Sequence, residues 1–448
     1  MKKILILLFV FLTFFSCQKE PSDNNINPPP PDTTAFVIPK TEDIVMYEVN
    51  LRALSTTGDF QGVIGRLDEI KSLGINVIWL MPIYPIGEIN SVNSPYCVKN
   101  YKEVNPEFGS LNNLKELVKK AHDMDIAVIL DWVANHTSWD NPWISNKDWY
   151  TQDGNGNIIS PPGTNWQDVA DLDYSSQDMR LSMIEAMKYW ISAANVDGFR
   201  CDAADMVPFN FWQQAIAALD STYEKELILL AEGSRSDHFT AGFQMNYSWN
   251  FYSKIKEVFG QNAAASSLFI VHNAEYSGLP AGKQKLRFTT NHDESAWDAT
   301  PMVLFNGEKG ALAASVITIY QGGVPLIYGS QEVGVEENIP FFSNAPINWS
   351  MHPEMLQAYK DMLNFYTGSD VLKKGALVSF PDTDVMAFKH SLEQKEVLVL
   401  VNVRNSVITF NVAAELANTV WKDAFDSSEV TLPGIINLEA YEYLVLTK

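Results

Sequence analysis

The sequence predicts an α/β protein: a (β/α)8 barrel with an inserted subdomain after its third strand and a C-terminal antiparallel β-sandwich domain. Three observations carry this. From about residue 43 short apolar runs alternate with amphipathic helical stretches, the pattern of a parallel sheet covered on both faces. Eight such runs precede residue 330, the number a closed barrel needs. After residue 371 the helical spacing gives way to closely spaced strand-like runs.

The first residues stand outside this pattern. A basic start, "MKK", precedes twelve apolar residues, 4–15, too few to span a bilayer and of signal-peptide length. Ser16–Cys17 follow, and the chain then turns polar and proline-rich, "QKEPSDNNINPPPPDTT". The stretch resembles a bacterial lipoprotein signal at 1–17, with Cys17 as the lipidated residue and 18–42 as a flexible linker. That resemblance implies a cell-envelope protein, lipid-anchored to the outer membrane. Cys97 and Cys201 are too few to make a disulfide framework in a chain of 448 residues. The net charge of −22 repels nucleic acid and excludes it as a partner.

Between residues 43 and 370 the strand candidates are 44–51, 76–82, 127–133, 198–203, 227–232, 243–249, 286–291 and 324–329. Helical spacing connects them. Leu111, Leu114, Leu117, Val118 and Ala121 share one face behind an N-cap at Ser110, and Met183, Met187, Trp190, Ile191 and Ala194 repeat the pattern within 176–194. One connection, 137–175, is too long for a simple loop and reads as the inserted subdomain. Its tryptophans, Trp139, Trp143, Trp149 and Trp166, suit either that subdomain's own core or contact with a sugar. In 371–448 the runs 396–403, 406–412 and 441–446 read as antiparallel strands.

Barrels of this kind place their chemistry at the C-terminal ends of the strands. There the third strand ends in "DWVANH" (131–136), the fourth in "GFRCDAAD" (198–205), the fifth in "AEG" (231–233) and the seventh in "TTNHDE" (289–294). Strand alternation puts Arg200 and Asp202 on one face and Phe199 and Cys201 on the other, so Cys201 is expected to pack outward as a small apolar filler. An adjacent arginine favours an ionised Asp202, as a nucleophile requires, whereas Glu232 follows the apolar run "LILLA", which favours a proton-bearing carboxyl. One charged and one protonated carboxyl flanking a sugar is the apparatus for cleaving a glycosidic bond.

These segments resemble, in order and spacing, the sequence regions of the α-amylase family of glycoside hydrolases. So do "INVIWLMPIYP", "PYCVKNYKEVNPEFGS", "VADLDY" and "GGVPLIYGSQEVG". The resemblance implies Asp202 as nucleophile, Glu232 as general acid/base and Asp293 as the third carboxylate. It also implies Tyr96, His136, Arg200 and His292 around the sugar being cleaved, and a structural Asp131. The activity implied is retaining hydrolysis of α-glucosidic bonds in starch-derived α-glucans or malto-oligosaccharides through a covalent glucosyl-enzyme. Alternatives are a transglycosylase, an enzyme for α-1,6 linkages or short sugars, and a non-catalytic glucan-binding relative; the last normally lacks one of the three acids, and all three are present. No organic cofactor is expected. Asn135 and Asp171 match the family's calcium-ligand positions, and oxygen donors on a loop suit that ion. Two departures stand out. Asn100 precedes Tyr101 where relatives carry Asp, which bears on hydrogen bonding near Tyr96. Asp205 and Met206 replace the Lys-His that often follows the nucleophile, so leaving-side sugar contacts and the calcium site are expected to differ.

Overall fold

A computed structural model of the chain describes residues 36–448; the signal, Cys17 and most of the linker lie outside the described residues. Eight parallel strands close into a barrel: β1 (Met46–Val49), β2 (Val77–Leu80), β3 (Ala127–Val133), β4 (Gly198–Asp202), β5 (Ile228–Ala231), β6 (Met245–Tyr247), β7 (Gln284–Arg287) and β8 (Val324–Tyr328). Each lies beside its sequence neighbour, and β8 pairs with β1. All eight expected runs are present.

Their ends differ for local reasons. The seventh run leaves the sheet after Arg287. Thr289 to Asn291 turn towards the barrel mouth, where the Asn291 side chain accepts from Glu294 N (2.9 Å) and caps the helix His292–Trp297. The first run gives way to a helix at Leu51 and the sixth to one at Trp249. Helices at Leu111–His122 and Gln177–Ala194 begin behind Ser110 and Ser176, whose hydroxyls accept from Asn113 N and Met179 N.

Strand alternation divides the barrel into an inner and an outer layer. Leu130 and Trp132 of β3 and Phe199 and Cys201 of β4 belong to the core under the helices, with Trp132 and Phe199 edge-to-face at 5.4 Å. Cys201 is a buried free thiol there, as its strand position predicts. Asp131 and Arg200 sit level across the β3–β4 ladder on the opposite face, with Val133 level with Asp202 one step further on. At the base of β4, Gly198 has φ 153°, and a Cβ there would lie 1.9 Å from the Ile228 carbonyl oxygen, so β4 and β5 approach over a residue with no side chain.

The insertion is pinned by a short antiparallel pair, His136–Ser138 against Val169–Asp171. Trp139, Trp143 and Trp149 pack against the core, whereas Trp166 is 37% exposed. The C-terminal residues form a six-stranded antiparallel sheet faced by a two-stranded ribbon, Ile408–Asn411 with Ile435–Leu438. Leu398, Leu400, Phe410, Trp421 and Leu438 fill the space between. Arg404 ties this part to the barrel by donating to the carbonyls of Val258 (2.7 Å) and Ala263 (2.8 Å).

Candidate active site

Arg200 is fully buried at the barrel mouth, and three carboxylates meet it. Its Nη1 donates to Asp131 Oδ1 (2.7 Å) and Asp202 Oδ1 (3.0 Å), and its Nη2 lies 3.0 Å from Glu232 Oε2. The Nη2 contact lacks hydrogen-bond alignment, leaving Nη2 without a directed partner, so it is an ion pair only. Arg200 Nε donates to Tyr247 OH (3.2 Å), and the Trp79 ring lies 4.8 Å from the guanidinium carbon.

Glu232 is also held by its neighbour's neighbour in space. The amide of Ala203, the residue after Asp202, donates to Glu232 Oε2 (2.7 Å) from a left-handed backbone position, φ 44°. Asp202 and Glu232 therefore face one guanidinium, and a hydrogen bond from the residue after Asp202 ties their two loops together. Burial raises both carboxyls, Arg200 opposes that rise, and nearby acids add to it; Asp202 is pushed to about 6 and Glu232 to about 7.

A second chain of contacts reaches Asp131 from the other side of the mouth. Tyr96 OH donates to Asp131 Oδ2 (2.9 Å) and so accepts from His292 Nε2 (2.7 Å). His292 Nδ1 faces Glu48 Oε1 at 2.5 Å. With both ring nitrogens donating, His292 is an imidazolium. Burial lowers its pKa, but Asp293 (Nε2–Oδ2 3.4 Å) and Glu48 outweigh that and hold it at about 9. Glu48 is buried, and its Oε2 has no hydrogen-bond partner.

His136 has the opposite state. Burial lowers it to about 4, and its Nδ1 accepts from Asn135 Nδ2 (3.3 Å), so a neutral ring carries its proton on Nε2. His136 sits edge-to-face with Trp166 at 5.5 Å. A single cleft of about 760 Å³ is lined by Tyr96, His136, Asp202, Glu232, His292 and Asp293 together with Trp166, Trp249 and Trp297. Every catalytic and sugar-contact residue named from the sequence except the buried Arg200 thus opens onto one space, with Arg200 beneath it.

The two departures acquire plain accounts. Asn100 Oδ1 accepts from Lys102 N (3.0 Å) in a local turn, and both hydrogen bonds of Tyr96 are intact. Asp205 accepts from the amides of Ser234 (3.0 Å) and Arg235 (3.3 Å), fastening the loop that follows Glu232 to the loop that follows Asp202. Gly233 makes this possible: at φ 149°, any Cβ would lie 2.3 Å from Asp205 Oδ1.

Asn135 and Asp171 line a separate cleft of about 450 Å³ with Asp173, Tyr174 and Arg180. Asp171 is half-buried, and burial raises its carboxyl. Among the described residues no group of three or more His, Cys, Asp or Glu is placed to hold a metal. The side-chain oxygens of Asn135 and Asp171 suit calcium in kind, and main-chain carbonyls or water would have to complete the shell.

Glu48, Trp79, Tyr247 and the aromatic residues Trp249, Trp297, Phe341 and Phe342 were not singled out from sequence. Glu48 left a signal, being the one charge in the apolar run 44–49.

A (β/α)8 barrel whose mouth gathers three carboxylates in an aromatic cleft defines a class, the glycoside hydrolases. The family model for the alpha-amylase catalytic domain matches residues 50–374. Alpha-amylase 2 of Dictyoglomus thermophilum is 25% identical over 422 residues, covering 88% of this chain and 71% of that protein. Alpha-amylase 3 of the same organism is 24% identical over 487 residues, covering 93% and 92%. Among solved structures, an alpha-amylase from Lactobacillus plantarum superposes with a TM-score of 0.82 at 26% identity, covering 91% of this chain and 99% of that one. The maltogenic alpha-amylase AmyB from Thermotoga neapolitana gives 0.81 at 26% identity, with 91% and 98% covered. The chain belongs to the α-amylase family, and it is a glycoside hydrolase acting on α-glucans.

The His292 assignment is testable on its own. Glu48→Gln removes the carboxylate that stabilises the imidazolium, so the His292 titration midpoint, followed by NMR of the ring, falls by roughly 1 pH unit or more. An unchanged midpoint would show that Glu48 is not what keeps the ring charged.

Proposed function

We propose that this enzyme hydrolyses α-glucosidic bonds of malto-oligosaccharides with retention of configuration. The observation that carries the reading is the Arg200 fork: Asp202 and Glu232 contact its two terminal nitrogens, and Glu232 holds its proton to higher pH. Sharing one guanidinium keeps the two carboxyls close, in keeping with the short separation of retaining enzymes, about 5 Å, rather than the wider gap that admits a water.

In the first step the Asp202 carboxylate attacks the anomeric carbon as the glycosidic C–O bond breaks, and Glu232 gives its proton to the departing oxygen. Glu232, now a carboxylate, takes a proton from water. The resulting hydroxide attacks the same carbon and releases Asp202. Asp293 accepts hydrogen bonds from the sugar's hydroxyls through both transition states. Neutral His136 donates from Nε2 to the same sugar, Tyr96 stacks on it, and charged His292, its two N–H groups held by Tyr96 and Glu48, adds a fixed positive charge beside it.

Product analysis with maltoheptaose tests this. The wild type releases shorter sugars, and Asp202→Asn loses activity on the order of 10⁴-fold; equal release by both would remove Asp202 from the reaction. Activity needs Asp202 ionised and Glu232 protonated, so kcat/KM falls below about pH 6 and above about pH 7.

The cleft at Asn135 and Asp171 is assigned to calcium as a structural ion. Calcium added after chelator treatment raises Tm by a few degrees, and Asp171→Asn abolishes the rise; calcium without effect on wild-type Tm excludes the ion.

Cys17 is assigned as a lipid attachment point. Cells fed a labelled fatty acid incorporate label into the wild-type chain and not into Cys17→Ser; an unlabelled wild type excludes the anchor.

A further inference from the structure

Asp293 is the least secured of the three carboxylates at the cleft. Arg200 meets Asp202 and Glu232, and the Ala203 amide holds Glu232 as well. Among the described residues no donor hydrogen-bonds the Asp293 carboxylate; its ionic contact is His292 Nε2 at 3.4 Å. The place of this carboxylate is therefore set by the backbone that carries it, the helix His292–Trp297. A helix of six residues is not stable alone, so its position depends on what grips its two ends.

The N-terminal end is held by Asn291, which caps it, and by Glu48, which takes His292. The C-terminal end is held from outside the cleft. The helix Trp249–Gly260 presents Tyr252 and Lys256, one turn apart. Tyr252 OH donates to Glu294 Oε2 (2.8 Å). Lys256 Nζ donates to Asp298 Oδ2 (2.7 Å) and lies 3.6 Å from Glu294 Oε2. Asn338 Nδ2 adds bonds to the carbonyls of Ala296 (3.1 Å) and Asp298 (3.3 Å). The base of this clamp is fixed: Tyr252 is buried, its ring stacks on Phe288 at 5.1 Å, and Lys256 Nζ sits 4.5 Å from the same ring. None of Tyr252, Lys256, Glu294 and Asp298 lines the cleft.

Charge singles out Lys256 within the clamp. Asp293, Glu294 and Asp298 fall within six positions. The first two lie in the first turn, where acids suit the helix dipole, but Asp298 sits at the C-terminal end, where a carboxylate is unfavourable. Lys256 neutralises that end. Without it Glu294 and Asp298 repel each other, the C-terminal end loses its grip, and the helix is free to turn about its pinned start and carry Asp293 with it.

We propose that Lys256 is a positioning residue for the reaction: it fixes the C-terminal end of the helix His292–Trp297 and thereby the place of the Asp293 carboxylate, while touching neither the substrate nor the reacting atoms. This rests on the reading of Asp293 as the carboxylate that grips the sugar in both transition states. Displacing such a group by a fraction of its hydrogen-bond length costs rate rather than binding.

The test measures kcat and KM for maltoheptaose, together with Tm, in the wild type, Lys256→Met and Lys256→Arg. The Lys256 side chain is 30% exposed, and methionine keeps an unbranched stem beside Tyr252 without the charge. Lys256→Met is expected to lower kcat about tenfold with KM changed less than about twofold, and Lys256→Arg to keep most of the wild-type kcat. Asp298→Asn is expected to lower kcat in the same way, and the Lys256→Met/Asp298→Asn pair no further than the larger single loss. A Tm lowered with kcat intact assigns Lys256 to stability alone and overturns the proposal. So does a loss that Lys256→Arg shares in full, or losses that multiply in the pair. Asp293→Asn separates this failure from that of the underlying reading. It is expected to lose activity by about a hundredfold or more; near-wild-type activity removes Asp293 from the reaction, and the role of Lys256 with it.

Discussion

Arg200 is a full positive charge with no access to water, and the mouth of the barrel is organised around that fact. A buried guanidinium is tolerated only where anions and hydrogen-bond acceptors surround it. Here Asp131 comes from β3, Asp202 from β4 itself, Glu232 from the end of β5 and the Tyr247 hydroxyl from β6. Four consecutive strands are held to one side chain. The same ion serves chemistry, because it opposes the burial that raises both Asp202 and Glu232. Without it two adjacent, largely buried carboxyls would both be driven further towards the neutral form.

Asp131 is the joint between this cluster and the far side of the cleft. One of its oxygens takes Arg200; the other takes Tyr96 and the Trp79 indole (3.1 Å). Through Tyr96 the path continues to His292 and ends at Glu48 on β1. Each proton in this path has one sensible place, so each ring has one orientation. The result is a row of fixed dipoles and charges, which stabilises developing charge without reorganising during the reaction. Asp205 performs a comparable duty for the backbone: through Ser234 and Arg235 it keeps the loop bearing Glu232 in register with the loop bearing Asp202.

The eight barrel strands were legible because each is a short, continuous apolar run, and a parallel strand buried on both faces has that form. Their ends were less so. Phe288–Asn291 reads as a continuation of β7, yet Asn291 is committed to capping the next helix, a bond that depends on where that helix starts in space. Outer strands of the C-terminal sheet such as Thr419–Asp423 and Glu429–Leu432 were missed because they are short and partly exposed, so their pattern is diluted. Among site residues, those beside a recognisable motif were found. Trp297 ends a six-residue helix and Phe341 and Phe342 sit on a loop, segments too short for periodicity to mark a residue as facing the cleft.

By itself the sequence determined that Arg200 and Asp202 share one face of a barrel strand. Arg200 and Asp202 are two apart on a strand, and no tertiary arrangement could separate them while that strand stays extended. Cys201 was sent to the opposite face by the same rule. What only the tertiary structure decided is which residues far apart in the chain meet: Glu48 with His292, 244 positions away, Tyr96 with His292, 196 positions away, and Arg52 with Phe341. Closure of the barrel brings β8 back to β1, and that contact is a property of the whole ring of strands, absent from every local segment that composes it.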